Sequence, residues 1–335
     1  MEQLYINGVS AHLPKQMVTV DAAIGNQWYD QDEARADDYE GARVEPELWP
    51  GEMAAKAASS VLADSLFNAD DLSFLTFSNI HRHGHKHLWQ PAAFLQNELQ
   101  ADKATAMSVQ HGCNGLMLAT GLAMDHCRVH PKGKALLCSS DRFEHSYFDR
   151  WQSDYGLIYG DAAVAVTISK EPGPFEIIHF AQQSAANLES MHRVELPLAE
   201  SESSAPHQHD IREAKKAFLT EFGKEAFQQT MSDTLTQLRS GLLQDTELKD
   251  HMADWLILPN VGKRGLKSVY EPAFADLALD DLWHFGRSVG HTGASDQFLG
   301  LHWLQQSGEL KSGHLILLVG AGAGFSCSVL LLRVR

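Results

Sequence analysis

Cys113 stands where a protein can use a thiol as a nucleophile. The residues before it, Met107 to Gln110, are typical of the end of a strand, and Gly112 permits a tight turn. The residues after it are apolar almost all round, which predicts a buried helix that begins at Cys113. The unpaired N–H groups at such a helix N-terminus stabilise a thiolate, so the pattern predicts a reactive sulfur. The alternative is an inert core cysteine, since free cysteines are among the most buried residues.

A second chemical group lies far along the chain, at His291. A cysteine and a histidine that are distant in sequence can form a nucleophile–base pair in the fold. Asp296 follows shortly after it and precedes a predicted helix. A carboxylate there would orient the imidazole and support its cation, which is the logic of a hydrolase triad. The alternatives are a hydrogen-bonded core histidine and, for Asp296, an N-cap of that helix.

A third pattern, the run from His81 to His87, alternates histidine with other residues. The run contains no cysteine or carboxylate, and Gly84 lies within it. Alternation in such a loop does not fix a coordination geometry. We therefore favour a solvated loop over a metal site and predict no metal in this protein.

Composition argues against several classes of partner. The chain has 335 residues, of which 44% are hydrophobic, and a formal net charge of −16 at pH 7. These values predict a soluble globular protein and argue against nucleic acid or an anionic membrane surface as a partner. We find no apolar stretch long enough to span a membrane, and the N-terminus is unlike a signal peptide. Four cysteines without paired short spacings predict reduced thiols in the cytoplasm.

The elements that must position these residues alternate between strands and helices. The first half has predicted strands at Leu4–Val9, Leu72–Ser78 and Ala135–Ser140, and helices at Gly51–Leu66 and Pro91–Leu99. The second half has predicted strands at Phe175–Phe180, Asp254–Asn260 and Leu315–Val319, a helical region at Ile211–Leu243 that breaks near Gly223, and a helix at Gln297–Gln305. Each half ends in a glycine-bearing turn and an apolar strand, after Gly160 and after the Gly320–Gly324 turn. The pattern predicts an α/β protein of two related halves, 1–172 and 173–335, each with a buried mixed sheet.

Five motifs carry a resemblance to a known family. They are Cys113-Asn114-Gly115, Tyr159-Gly160-Asp161-Ala162-Ala163, Pro259-Asn260, Gly290-His291-Thr292-Gly293-Ala294 and Gly322-Ala323-Gly324-Phe325. In this order and spacing the chain resembles the ketoacyl-ACP synthase III class of thiolase-fold enzymes. The resemblance implies two duplicated α/β halves in a layered αβαβα architecture, and a homodimer. It also implies a thioester substrate, either acyl-CoA or the acyl-phosphopantetheine of an acyl carrier protein, with no permanently bound cofactor.

The chain departs from the condensing members of this class at two positions. Where those members have a histidine after the proline, this chain has Asn260, and where they have a later asparagine it has His291. Together with Asp296, this set resembles the Cys-His-Asp acyltransferase branch, which moves an acyl group to a hydroxyl or similar acceptor in specialised metabolism. A decarboxylating condensation needs two neutral donors on an enolate oxygen, whereas transfer to an alcohol needs a base.

The expected function is therefore acyl transfer. We expect Cys113 to carry the acyl group, and His291 with Asp296 to activate a small-molecule acceptor with a hydroxyl or amine. One alternative is a carbon–carbon condensing enzyme of the same fold. The other is a catalytically silent partner subunit, against which an intact cysteine and histidine count.

The resemblance further implies an oxyanion hole. Its donors would be the backbone N–H groups of Cys113 and Ala323. Asn260, at the position of the lost histidine, could add a side-chain donor. The alternative for Asn260 is a loop residue that bonds its own backbone.

Two regions are candidates for binding the acyl donor. Trp89 falls where the family completes its acyl pocket across the dimer interface, so it belongs either to the pocket or to the interface. Lys263 and Arg264, followed by Lys267, lie beside the Asn260 loop and offer positive potential to a carrier or to CoA. The alternative for these cations is a solvated helix face.

Overall fold

The structure, a computed structural model, describes residues 2–65, 68–81, 83, 89–143, 148–193 and 211–335. Its strands are β1 (Tyr5–His12), β2 (Met17–Thr19), β3 (Gly41–Arg43), β4 (Phe74–Ser78), β5 (Thr105–Val109), β6 (Lys134–Asp141), β7 (Ala162–Ser169), β8 (Phe175–Ser184), β9 (Ala253–Ile257), β10 (Ala278–Asp281), β11 (Leu315–Gly322) and β12 (Ser326–Val334). The α-helices are α1 (Val20–Gly25), α2 (Gln31–Asp37), α3 (Pro50–Asp64), α4 (Pro91–Leu99), α5 (Gly115–Val129), α6 (Ile211–Phe222), α7 (Lys224–Asp245), α8 (Lys263–Gly265), α9 (Glu271–Phe274), α10 (Trp283–Gly286) and α11 (Asp296–Ser307). Short 3₁₀ turns cover Ala69–Asp71, Ala186–His192, Glu247–Lys249, Ala275–Leu277 and Gly293–Ser295, and a π-helical turn covers Leu266–Tyr270.

The strands are arranged with an internal symmetry. Ten of them form one mixed sheet in the order β10-β9-β11-β12-β8-β1-β7-β6-β4-β5. Outward from the centre, β1-β7-β6 is antiparallel and β6-β4-β5 is parallel. The other side repeats this pattern, with β8-β12-β11 antiparallel and β11-β9-β10 parallel. Each half of the chain therefore supplies five strands with the same order and directions.

Helices cover and separate the two halves of the sheet. α5 and α11 pack against strands of both halves and lie at the centre of the largest apolar cluster. α3 and α4 cover the outer face of the first half, and α7 covers the outer face of the second. Because both faces of the sheet are covered, β7 and β11 are buried along their whole length, and β12 is buried along most of its length. This burial explains the largely apolar sequences of these strands.

Most predicted elements are present near their predicted bounds, but two regions differ. The expected turn at Gly320–Gly324 is shorter, because β11 continues to Gly322 and pairs there with Ser326. The region 17–43 contains a small two-stranded sheet of β2 and β3 with two short helices, which the polar sequence did not predict. The polar sequence Ser201–Asp210, which is expected to form an exposed loop, lies outside the described residues.

No helix within the described ranges is both long and apolar enough to cross a lipid bilayer.

Candidate active site

Cys113 lies in the short connection between β5 and α5. Gly112 has a φ of +54°, and a Cβ atom there would lie 2.8 Å from the backbone nitrogen of Ala323. Glycine is therefore required both for the left-handed turn and for the close approach of the turn after β11. The helix itself begins at Gly115, with Asn114 at its N-cap, which is two residues later than the predicted start at Cys113, so the cysteine lies just before the helix N-terminus.

Asn114 joins this connection to the second half of the sheet. Its amide nitrogen donates hydrogen bonds to the hydroxyls of Ser326 and Ser328 on β12, both at 2.8 Å. Gly322 lies so close that a Cβ atom there would be 2.4 Å from the backbone nitrogen of Asn114 and 2.9 Å from that of Cys113. The nucleophile segment is thus fixed to the glycine-bearing strand that ends beside Ala323.

His291 is fixed to the first half of the chain by its backbone. Its N–H donates to the carbonyl of Ile158 at 2.8 Å, and its carbonyl accepts from Gly160 at 2.9 Å. A Cβ atom at Gly160 would lie 2.1 Å from the carbonyl oxygen of Val289, which explains why glycine stands there. The Tyr159-Gly160 motif therefore sets the position of the imidazole rather than contributing a reactive group.

The side chains of Cys113, His291 and Asp296 form a continuous hydrogen-bonded chain. Nε2 of His291 lies 2.9 Å from Sγ of Cys113, and Nδ1 lies 2.6 Å from Oδ2 of Asp296. The imidazole and the carboxylate are buried, whereas the thiol is partly exposed. The two residues that the sequence singled out in the second half are thus brought to the cysteine of the first.

Hydrogen bonds to both carboxylate oxygens hold Asp296 in place. Oδ1 accepts from both the backbone N–H and the hydroxyl of Thr292 at 2.7 Å, and Oδ2 also accepts from the backbone N–H of Asn260 at 2.8 Å. Burial alone lowers the pKa of His291. The negative charge of Asp296, the Cys113 sulfur and the hydrogen bonds to both outweigh that effect and raise this pKa well above its usual value. The geometry favours a histidine that readily takes a proton at Nε2.

Asn260 contributes to the site through both its backbone and its side chain. Its side-chain amide donates to the carbonyl of Gly290 at 3.1 Å, and its backbone N–H binds Asp296. One of the two N–H donors of the amide is thus paired within the site, and its role in the oxyanion hole stays a prediction. The backbone nitrogens of Cys113 and Ala323, by contrast, lie on segments that contact each other around Gly112 and Gly322.

Cys113 opens onto a cavity of about 500 Å³. Aromatic and apolar side chains form much of its lining, together with a few polar ones. The lining residues are Asn79, Ile80, His81, His83, Gln110, Gly112, Cys113, Phe143, Phe148, Asp154, Leu157, Tyr159, His192, Ile211 and Ala323. A mostly apolar cavity with a nucleophile at its wall is the form of a site for an organic substrate.

The other three cysteines do not share this environment. Cys127, Cys138 and Cys327 are free thiols buried in the core. Burial raises the pKa of Cys127 to about 11 and that of Cys327 to about 12, and it also raises that of Cys138. Their thiolates are therefore disfavoured, which leaves Cys113 as the accessible sulfur.

The candidate donor-binding residues lie outside this cavity lining. Trp89 packs on Phe94 with ring centroids 5.1 Å apart and contacts His83, which does line the cavity. Lys263 pairs with Glu271 at 3.1 Å, and Arg264 pairs with the buried Asp37 at 3.4 Å. The positive charges beside the Asn260 loop are therefore partly balanced by acids of the same chain.

The histidine run falls mostly beyond what the structure describes, since residues 82 and 84–88 lie outside the described residues. Of the run, His81 lies against Phe143 and Phe148, with ring centroids 5.5 Å and 5.3 Å away. In the described part of the chain, no group of three or more His, Cys, Asp or Glu side chains is placed to hold a metal ion.

Comparison with known proteins identifies the family. The family models for 3-oxoacyl-[acyl-carrier-protein (ACP)] synthase III and for its C-terminal part match residues 107–186 and 243–334, just over half of the chain together. The chain belongs to the 3-oxoacyl-ACP synthase III family. Beta-ketoacyl-[acyl-carrier-protein] synthase III of Wolbachia pipientis subsp. Culex pipiens is 25% identical over 84% of this chain and 83% of its own. The enzyme of the same description from Desulfotalea psychrophila is also 25% identical, over 85% of this chain and 86% of its own.

Solved structures show the same fold. The structure of ChlB3, described as an acyltransferase, is 28% identical, has a TM-score of 0.90, and covers 99% of this chain and 98% of its own. The 3-oxoacyl-[acyl-carrier-protein] synthase III of Aquifex aeolicus is 17% identical, with a TM-score of 0.76 over 98% of this chain and 99% of its own. The protein therefore has the thiolase fold of ketoacyl-ACP synthase III-like enzymes.

Sequence reasoning did not predict three contributors to the site. Asn114 ties the nucleophile segment to β12, Thr292 binds one oxygen of Asp296, and the backbone of Asn260 binds the other. Thr292 directly follows the histidine and could have been proposed as a carboxylate ligand. The other two contacts join distant segments and carry no local signal.

Proposed function

We propose that this protein is an acyltransferase that works through an acyl-enzyme on Cys113. The observation that carries the proposal is the hydrogen-bonded chain of Cys113, His291 and Asp296, with distances of 2.9 and 2.6 Å. The similarity to the acyltransferase ChlB3 along nearly the whole chain supports it. The acyl donor would be the thioester of CoA or of an acyl carrier protein, and the acceptor a hydroxyl or amine of a specialised metabolite.

The first half-reaction would load the cysteine. His291 takes the thiol proton at Nε2 while the sulfur attacks the thioester carbonyl. The backbone N–H groups of Cys113 and Ala323 would stabilise the resulting oxyanion. When the carbonyl re-forms, the carbon–sulfur bond to the donor breaks, and the departing thiolate takes the proton from His291.

The second half-reaction would use the same histidine as a base toward the acceptor. Nε2 of His291 takes the hydroxyl proton while the oxygen attacks the acyl-enzyme, and the sulfur of Cys113 leaves and recovers that proton. Asp296 keeps the other ring proton on Nδ1 and stabilises the imidazolium at both stages. No atom or electron is left over, so the cycle needs only the two substrates.

The test is intact-mass measurement of the protein after mixing with acetyl-, butyryl- or octanoyl-CoA. We expect a mass gain equal to the acyl group, which is lost in Cys113→Ala and kept in Cys127→Ala and Cys138→Ala. We expect His291→Ala to retain some acyl-enzyme but almost no turnover. Labelling that persists in Cys113→Ala would refute Cys113 as the nucleophile. Absence of any acyl-enzyme in the wild type would contradict the proposal and favour a silent partner subunit.

A carbon–carbon condensing enzyme is the second candidate, because the curated relatives at 25% identity are described as beta-ketoacyl-ACP synthases. The same loaded protein separates the two. A malonyl thioester would discharge a condensing enzyme, whereas an alcohol or amine would discharge an acyltransferase.

We further propose a homodimer and an entry path for the donor. β5 forms one end of the sheet, and Met107 on it is 40% exposed, so this edge is free to meet a second copy. Lys263 and Arg264 would contact the carrier or CoA. Because each already has an acidic partner, their replacement by Met, rather than by Glu, is the cleaner test of donor binding.

A further inference from the structure

His192 lies in the wall of the Cys113 cavity but has no part in the proposed half-reactions. It ends the 3₁₀ turn Ala186–His192, and its ring stacks on Phe325 with centroids 5.4 Å apart and 25° between the planes. The backbone N–H of Ala185 also donates to the carbonyl of Phe325 at 2.9 Å. Because Phe325 belongs to the same turn as Ala323, the imidazole has a fixed position relative to the proposed oxyanion hole.

The ring nitrogens of His192 lack hydrogen-bond partners within the described ranges of the chain. Nδ1 is buried and unpaired. Nε2 is then the nitrogen that remains accessible to the cavity. Polar groups in proteins nearly always find a partner, so the accessible Nε2 in a substrate cavity is a hydrogen-bonding group that a bound substrate can engage.

Burial keeps the ring of His192 neutral at physiological pH. Burial lowers the pKa of His192 to about 4, with help from Lys215 and His291 and against the opposing effect of Asp154. Lys215 is itself paired with Asp154, which lines the cavity beside it. A neutral imidazole has one donor and one acceptor nitrogen, and a hydroxyl can pair with Nε2 in either tautomer.

The walls of the cavity indicate which substrate offers that hydroxyl. Phe143, Phe148 and Tyr159 pack into one aromatic cluster with Leu157, which suits an acyl chain. His192 lies against Phe325, in the same turn as Ala323 of the proposed oxyanion hole. We propose that His192 is a positioning residue for the acyl acceptor and binds a hydroxyl other than the one that is acylated. The acceptor would then be a diol or polyol rather than a simple alcohol. This inference rests on the proposed acyl transfer.

The test compares alcohols as acceptors for the acyl-enzyme. Protein loaded from butyryl-CoA is chased with diols from 1,2-propanediol to 1,5-pentanediol and with the 1-alkanols of matching length, and the loss of acyl mass is followed. We expect at least one diol to discharge wild type about threefold to tenfold faster than its alkanol, the worth of one hydrogen bond. His192→Phe should remove this preference, measured as the ratio of diol to alkanol rates within the same variant, and His192→Gln should retain part of it.

A matched control is His179→Phe, since His179 also has a pKa lowered by burial but does not line the cavity. It should keep the diol preference. Equal rates for diols and alkanols in wild type, or a preference that survives in His192→Phe, would overturn the assignment.

A second readout does not depend on acyl transfer. In ¹⁵N-histidine-labelled protein, the signal missing from His192→Phe should report a neutral ring between pH 5.5 and 8 and should shift on titration with the diols but not the alkanols. If no acyl-enzyme forms or no alcohol discharges it, the proposed function fails, and this titration alone decides His192. A signal that does not respond to any diol refutes the binding role.

Discussion

Replacing Asp296 with Asn tests the role of the carboxylate with almost no change of shape. Asp296 accepts hydrogen bonds from His291, from the backbone of Asn260, and twice from Thr292. The amide nitrogen of an asparagine cannot accept, so one of the two backbone N–H groups must lose its partner in either orientation. That loss costs about 1–3 kcal/mol of stability, which the fold should tolerate.

The effect on transfer follows from the same contacts. If the amide nitrogen faces Thr292, His291 keeps its proton on Nδ1 but loses the charge that supports its cation. If the amide nitrogen faces His291, Nδ1 of His291 must accept a hydrogen bond from it. The ring proton then moves to Nε2, which can no longer accept a proton from the acceptor. We expect the rate of transfer to fall by about 10²–10⁴-fold, as in hydrolase triads, which corresponds to about 3–5 kcal/mol in activation free energy.

The assay is single-turnover transfer from the loaded protein. Wild type and Asp296→Asn are acylated from an acyl-CoA, freed of excess donor, and chased with an alcohol acceptor while the acyl mass is followed. Thr292→Val is the matched control, because it removes one hydrogen bond to Asp296 and keeps its charge, so the rate should fall by about tenfold or less. Transfer by Asp296→Asn at the wild-type rate would refute the acyl-transfer triad and favour the condensing alternative.

Three further predictions concern the frame of the site. Gly293→Ala should destabilise the protein and reduce transfer more than Gly308→Ala. Both glycines have a positive φ, but only at Gly293 would a Cβ atom lie 2.5 Å from Asp141. Thermal unfolding and transfer rates test this, and equal effects of the two variants would contradict it. Burial raises the pKa of Asp141 to about 8, so between about pH 4 and 8 the carboxyl is ionised in the unfolded chain but protonated in the folded one, and stability falls as pH rises. Asp141→Asn should flatten that dependence in denaturant titrations at a series of pH values. Light scattering at micromolar concentration should give the mass of a dimer, and the mass of a monomer would contradict the proposed assembly. We expect the dimer interface to bury well over ~2,000 Å².

Local sequence patterns predicted the elements that depend on local interactions. α4 has the predicted bounds, with Pro91 at its first position, and the break between α6 and α7 falls at Gly223, whose φ is +92°. Strands buried on both faces were recognised as continuous apolar runs. Region 17–43 was missed because its two short strands alternate with polar segments and are stabilised by contacts with other parts of the chain, such as the bond from Tyr39 to the carbonyl of Asn260.

The site itself was predicted only as far as the motifs extend. The resemblance brought together Cys113 and His291, which are 178 residues apart. The bonds from Asn114 to Ser326 and Ser328 depend on how β12 passes the start of α5, which no local pattern encodes. Likewise, the role of Asn260 depends on which of its groups faces the carboxylate.

Position 260 bears on the choice between the proposed acyl transfer and condensation. In condensing members a histidine at this point would place a neutral imidazole toward the reacting carbonyl. Here the shorter Asn260 directs its amide to the carbonyl of Gly290 and its N–H to Asp296, at 3.1 and 2.8 Å. The backbone of Asn260 thus supports the carboxylate, and His291, at the position of the later asparagine, lies 2.9 Å from the sulfur. A site with one carboxylate-supported base, in place of two neutral donors, is suited to removing an acceptor proton and not to stabilising an enolate formed by decarboxylation.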